Sequence, residues 1–168
     1  MMRCGNYVGM LLLDLRKAFN TVNHDILTSK LQCMGFSNLA LKWFLSYLTD
    51  RTQVCDVEVT LSEPQSIVCG VPQGSILGPL LFLLYINDMS AVVHCKLLLY
   101  ADDSALLVPG CNVRDIKNTL GAELESVNQW LIDNKLSMHL GKTEPILFGT
   151  KRKLAKSNVL KVIYLSLA

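Results

Sequence analysis

Short, wholly apolar runs alternate along the chain with longer stretches whose apolar residues recur every three or four positions. Tyr7 to Leu13 is one such run, halted by Asp14. An unbroken run of this length predicts a strand buried on both faces. Asn23 or His24 can then cap a helix carrying Ile26, Leu27, Leu31 and Met34 on one side and closed by Gly35. Leu39 to Leu48 repeats the helical spacing with Leu41, Phe44, Leu45 and Leu48. Gln53 to Val68 alternates instead, through Val54, Val57, Val59 and Leu61, a turn near Pro64, then Ile67 and Val68. That pattern predicts a hairpin.

Gly70 to Gly74 reads as a loop, and the apolar segment Ser75 to Ile86 as a buried helix. Lys96 to Tyr100 and Ser104 to Val108 are apolar runs separated by Ala101, Asp102 and Asp103, the form of a hairpin with acids at its tip. Val113 to Leu131 predicts an amphipathic helix. Ile116, Leu120, Leu124, Val127 and Leu131 form its apolar stripe, and Arg114, Lys117, Glu123 and Glu125 fall on other faces. A last strand is expected over Pro145 to Phe148. With no repeats, low-complexity segment or Ser/Gly linker, the expectation is one layered α+β domain over residues 1–168.

Composition narrows the class. Residues are 51% hydrophobic and 18% charged, which excludes a disordered chain. So high an apolar share suggests that segments beyond this chain cover part of its surface. The net charge of +2 does not by itself point to nucleic acid. Basic residues do gather from Lys142 onward, at Lys142, Lys151, Arg152, Lys153, Lys156 and Lys161 against one acid, Glu144. A solvated tail and a phosphate-contacting strip both fit that cluster. The six cysteines form no CxxC pair, which argues against zinc and for free thiols in a reducing compartment. No signal peptide precedes Asp14. The longest apolar run, Ile76 to Ile86, falls short of the roughly 18 residues that span a bilayer. An intracellular protein, neither secreted nor transmembrane, is expected.

Chemistry concentrates at acids beside apolar strands. Asp14 ends one, and Asp102 with Asp103 joins two others. Carboxylates so placed are costly to desolvate unless something neutralises them, and their hard oxygens suit magnesium. Were the strands neighbours, three carboxylates would meet at one sheet edge, as two-metal phosphoryl transfer requires. Alone, an Asp-Asp tip is more often just a polar turn.

Four segments in register carry more. LLLDLRKAFNTVNHDIL from Leu11, GVPQGSILGPLLFLLYINDM from Gly70, YADD from Tyr100 and NKLSMHLGKTEPILFG from Asn134 resemble successive motifs of reverse transcriptases. The wording of the first two is most similar to non-LTR (LINE-type) retrotransposons, and the likeness runs from about Asn6 to Gly149. It implies a polymerase palm: an antiparallel sheet packed on helices, adding deoxynucleotides to a DNA primer on an RNA template with two Mg2+ ions, or Mn2+ in their place.

Carried across residue by residue, the resemblance makes Asp14 and Asp102 the principal metal ligands, with Asp103 supporting and the Leu15 carbonyl an added ligand. Phe19 matches the aromatic gate beneath the incoming sugar, whereas the residue alone reads as core. Gln73 and Gly74 match the loop supporting the incoming nucleotide and the template base; an amide side chain can bond there without charge. Tyr100 would lie beside the primer end, or be simply a strand aromatic. Lys142 matches the residue that protonates departing pyrophosphate, a general-acid role; a surface lysine is the alternative.

The chain also departs from the pattern. Asn20 stands where a second aspartate is common, six residues after the first. Only thirteen residues precede Asp14, so fingers are expected to be largely missing, and a thumb likewise after the basic tail 150–168. Little processive synthesis is therefore expected of the isolated chain. The competing expectation is an inactive remnant of a retroelement reading frame, keeping the palm but no polymerase activity of its own.

Overall fold

The computed structural model describes residues 7–150. Its strands and α-helices run in the order β1 (Tyr7–Asp14), α1 (Ala18–Thr21), α2 (His24–Cys33), α3 (Asn38–Leu48), β2 (Arg51–Gln53), β3 (Asp56–Val57), β4 (Thr60–Leu61), β5 (Gln65–Ile67), α4 (Leu77–Ile86), β6 (Lys96–Tyr100), β7 (Asp103–Gly110), α5 (Val113–Asp133) and β8 (Glu144–Gly149). Residues up to Arg16 and from Asp88 onward form one compact unit, and Lys17–Asn87 form another.

The first unit is built on a four-stranded antiparallel sheet of order β6-β7-β1-β8. β1 is central. It pairs with β7 from Tyr7↔Gly110 to Asp14↔Asp103, and with β8 from Tyr7↔Gly149 to Leu12↔Glu144. Because side chains alternate along a strand, the register divides the sheet into two faces. Gly9, Leu11 and Leu13 lie on one face with Leu106 and Val108, all buried. α5 packs there through Ile116, Leu120, Leu124, Val127 and Leu131, as its spacing predicts, each burial worth roughly 1.5–3 kcal/mol. A Cβ on Gly9 would run into Ile116, so the missing side chain is what lets the helix settle onto the strand. Asn112 starts α5 by accepting the Asp115 N–H at 2.8 Å, and Asn134 ends it by donating Nδ2 to the Trp130 carbonyl at 2.8 Å.

Two expectations change in this unit. β1 is not buried on both faces: Val8, Met10, Leu12 and Asp14 are only half-buried, since α5 covers one side. Glu123, placed by its spacing on a polar face, is instead buried. Its carboxylate accepts the His94 N–H at 2.9 Å, and that backbone donor is what makes burial tolerable.

The second unit joins helices to two small hairpins. α2 is capped by Asn23, which accepts the Ile26 N–H at 3.0 Å, and α3 by Ser37, which accepts from Ala40 at 3.3 Å. Leu27 and Leu31 of α2 are buried, but Met34 falls beyond the helix end and is exposed. α4 begins two residues later than its composition suggests. Ser75 forms a preceding turn, donating to the Pro72 carbonyl at 2.7 Å and accepting the Gly78 N–H at 2.9 Å. Leu81, Phe82, Tyr85 and Ile86 bury the rest of α4.

The 53–68 region does form a hairpin, β2 with β5, but the chain does not reverse near Pro64. It reverses at Glu58 and Val59, the two-residue loop between β3 and β4, both with positive φ. Val54, Val57, Val59 and Leu61 are exposed there, because alternation signals a strand but not what covers it.

Candidate active site

The sheet register assembles the acids. Asp14 closes β1 directly across from Asp103, the first residue of β7, and Asp103 is also paired with Tyr100, the last residue of β6. Residues directly opposite on antiparallel strands share a face, with Cβ atoms about 4.5–5.5 Å apart. Tyr100, Asp103 and Asp14 therefore form a row across the sheet end, on the face away from α5. Asp102 is the second residue of the two-residue turn and Ala101, at φ 53, the first. Asp102 and Asp103 are exposed and Asp14 is half-buried. Tyr100 is 82% exposed, so it is no core aromatic.

The chain after β1 is held by a second segment. Arg16 donates its N–H to the Ser137 carbonyl and His139 donates to the Asp14 carbonyl, both at 2.8 Å, and they flank the bridge between Leu15 and Met138. Since those bonds lie on the β8 side of β1, the N–H and C=O of Leu15 itself face the β7 side. There, extending the register by one would set Leu15 against Asp102. Leu15 is thus positioned by its backbone, while its side chain is buried.

The same segment delivers Lys142. Its N–H donates to the His139 carbonyl at 2.9 Å, and its Nζ lies 3.0 Å from Asp14 Oδ2. The lysine is the cation that neutralises the half-buried carboxylate. Among the described residues no group of three or more His, Cys, Asp or Glu side chains is gathered to hold a metal ion. The acids expected to converge thus share one sheet end without forming a closed cage. As donors they fit a hard divalent cation, being carboxylates with a backbone carbonyl beside them.

The remaining candidates belong to the unit 17–87. Phe19 is half-buried, its ring 4.8 Å from that of Phe82 in α4, and its carbonyl accepts the Val71 N–H at 2.8 Å. Gln73 and Gly74 are exposed, and Gly74 has a φ of 77, which suits glycine. Gln73 Nε2 donates to Asn20 Oδ1 at 2.9 Å. Asn20, read only as a departure from the acidic pattern, is thus the residue that orients Gln73. His139 was missed as well. Its contribution is made by the backbone, which no residue type announces, and its Nδ1 is buried without a partner among the described residues.

An antiparallel sheet with acids at the end of its middle strands and a long helix on the opposite face defines the class: an α+β protein of the polymerase palm type. The family model for reverse transcriptase (RNA-dependent DNA polymerase) matches residues 1–166, and the chain belongs to that family. It is 27% identical over 150 residues to the RNA-directed DNA polymerase from mobile element jockey of Drosophila funebris, a match covering 84% of this chain and 16% of the relative. It is 33% identical over 132 residues to the probable RNA-directed DNA polymerase from transposon BS of Drosophila melanogaster, covering 74% of this chain and 14% of the relative. The chain thus spans about a sixth of the length of these relatives. Apo telomerase from Candida tropicalis, truncated from its C-terminal domain, shares the fold, with a TM-score of 0.62 at 16% identity over 88% of this chain and 32% of that one. The family model and the two transposon relatives make this a reverse-transcriptase domain of the LINE-type elements. Among the described residues no helix is long and apolar enough to cross a membrane.

Proposed function

We propose that the chain supplies the catalytic palm for RNA-directed DNA synthesis, extending a DNA primer with deoxynucleotides on an RNA template. One observation carries this: Asp14 and Asp103 are direct cross-strand partners at a sheet end, with Asp102 next in the chain. Like charges so close destabilise the sheet unless a cation serves them, and a site that gathers negative charge is what a metal-assisted reaction needs. Asp14, Asp102 and the Leu15 carbonyl would hold Mg2+, or Mn2+, with Asp103 in support. Such ions, when bound, favour the ionised primer hydroxyl and offset charge on the leaving pyrophosphate.

The chain's own groups do the rest. Lys142 carries a proton within reach of the Asp14 carboxylate and gives it to the departing pyrophosphate. Tyr100, exposed beside Asp103, lies against the primer end. The Phe19 ring, braced by Phe82, lies beneath the sugar and leaves no space for a 2′-hydroxyl. Gln73, oriented by Asn20, bonds the incoming nucleotide, and Gly74 leaves its backbone open to it. Contacts to template and primer are to backbone and shape, since any sequence must be copied.

Primer extension resolved to single nucleotides tests this, on an RNA template annealed to a DNA primer. The expected result is magnesium-dependent addition of single deoxynucleotides, lost in Asp102→Asn and in Asp14→Asn. Folded chain that adds none, with Mg2+ or Mn2+, favours the inactive remnant.

A further inference from the structure

Arg51 opens β2, paired with Ile67 of β5, and the backbone enters it through Asp50 at φ 55. Its Nη1 is buried and has no hydrogen-bond partner among the described residues. No carboxylate there lies within ion-pair distance, although Arg51 also borders a second cleft that Asp25 and Asp50 line with it. Native structures rarely leave a buried guanidinium N–H unmade, because each such donor costs on the order of 1–3 kcal/mol or more when charged.

Arg51 also walls a cleft of about 440 Å³ within the same unit, lined by Asn20, Gln53, Ser66, Gly70 and Gln73 among others. Among the described residues it is the only formally charged one lining that cleft. The amides around it can donate hydrogen bonds without competing for the positive charge. Asn20 spends its Oδ1 on Gln73, so its Nδ2 is left as a donor. A lone guanidinium among neutral donors suits an anion with several oxygens, and the planar fork of arginine matches phosphate.

We propose that this cleft binds a phosphate group, with Arg51 as the recognising residue. The inference rests on the polymerase reading only for the source of that phosphate, which is either the backbone of an RNA strand or the triphosphate of a nucleotide.

Fluorescence anisotropy on the full chain tests it with two separate probes, a labelled single-stranded RNA and a labelled deoxynucleoside triphosphate. Arg51→Met is expected to weaken binding of one or both by about tenfold, the loss of one hydrogen bond to a charged group. If RNA is the source, the slope of log affinity against log salt also falls by about 0.7, the value for one phosphate on a single strand. A change confined to the nucleotide assigns the triphosphate instead. Arg51→Met should melt no lower than the parent, since it removes an unpaired buried donor. If it does melt lower, Arg51→Lys decides: it keeps the charge and the salt slope but loses the fork, and affinity should still drop several-fold. Parental affinity in the folded variant for both probes overturns the proposal and leaves the polymerase reading to its primer-extension test. A parent chain that binds neither probe overturns it too.

Discussion

Lys142 holds its ammonium 3.0 Å from the Asp14 carboxylate, on the residue the family resemblance makes a metal ligand. On the proposed mechanism lysine and metal would compete for one carboxylate, and Lys142 would have to leave Asp14 to reach a pyrophosphate. Lys142→Met should tighten Mn2+ binding while slowing nucleotide addition. The pair is partly open to solvent, with side chains 63% and 29% exposed, so its interaction is worth at most about 1 kcal/mol, a gain of up to about fivefold in affinity. Electron paramagnetic resonance of free Mn2+ reads the affinity without needing turnover. Weaker Mn2+ binding in the variant would show that the lysine supports the site.

Val59 occupies the second place of the β3–β4 turn at φ 73 and is 98% exposed. A β-branched residue is poorly suited to positive φ, where two-residue hairpin turns favour Asn-Gly. No packing offsets the strain. Val59→Gly is expected to stabilise the fold by about 1 kcal/mol, raising the melting temperature by about 2–4 °C. Calorimetry checks it, and a lower melting temperature would mean that the valine is held by contacts its exposure does not suggest.

What the sequence discloses here depends on how local each cause is. α5 is legible because its stripe of Ile116, Leu120, Leu124, Val127 and Leu131 meets one flat sheet face, so its period survives intact. β1 is legible as a strand but not in its burial, since an apolar run is the same whether one face or two are covered. The reversal at Glu58 and Val59 escapes because neither residue carries a turn signature, whereas Pro64 does. In the candidate site, Asp14 and the Asp102–Asp103 tip stand out as acids among apolar residues, but their pairing is a property of register, fixed by hydrogen bonds far along both strands. The roles assigned to Phe19, Gln73 and Lys142 come from motif resemblance alone. Arg51 lies outside all four motifs, and His139 sits inside the fourth with no role attached to it; burial singles out the first and a backbone bond to Asp14 the second.

Cys95 offers a check on the α5 seam. Burial pushes its thiol above the ordinary value of 9.0, and the negative charge of Glu123 adds to the effect. A thiol that holds its proton more tightly when folded makes the fold lose stability as pH rises through the range above 9.0. Glu123→Gln keeps an acceptor for the His94 N–H but removes the charge. The expected outcome is a downward shift in the pH profile of Cys95 alkylation, and faster reaction at fixed pH. Mass spectrometry of the Cys95 peptide measures it, with an unmoved profile ruling out electrostatic coupling between the two.

At Gly9 β1 lies close against α5: a Cβ there would run into Ile116 and lie 3.0 Å from Leu120 Cδ1. Ile116 and Leu120 are buried, so neither can swing into solvent to make room. Gly9→Ala should therefore destabilise the fold by about 1–3 kcal/mol through overpacking, although alanine suits a strand better than glycine does. Ile116→Ala alone should cost about 2–5 kcal/mol through the cavity it leaves. In the double variant the added methyl occupies space the isoleucine has vacated, so the two losses should fall short of additive by about 0.5–3 kcal/mol. Urea denaturation of the four proteins in this cycle measures the difference. Strict additivity would show that the helix lifts away from the strand instead of clashing with it, and that the close seat of α5 on the acid-bearing strand is not fixed by Gly9.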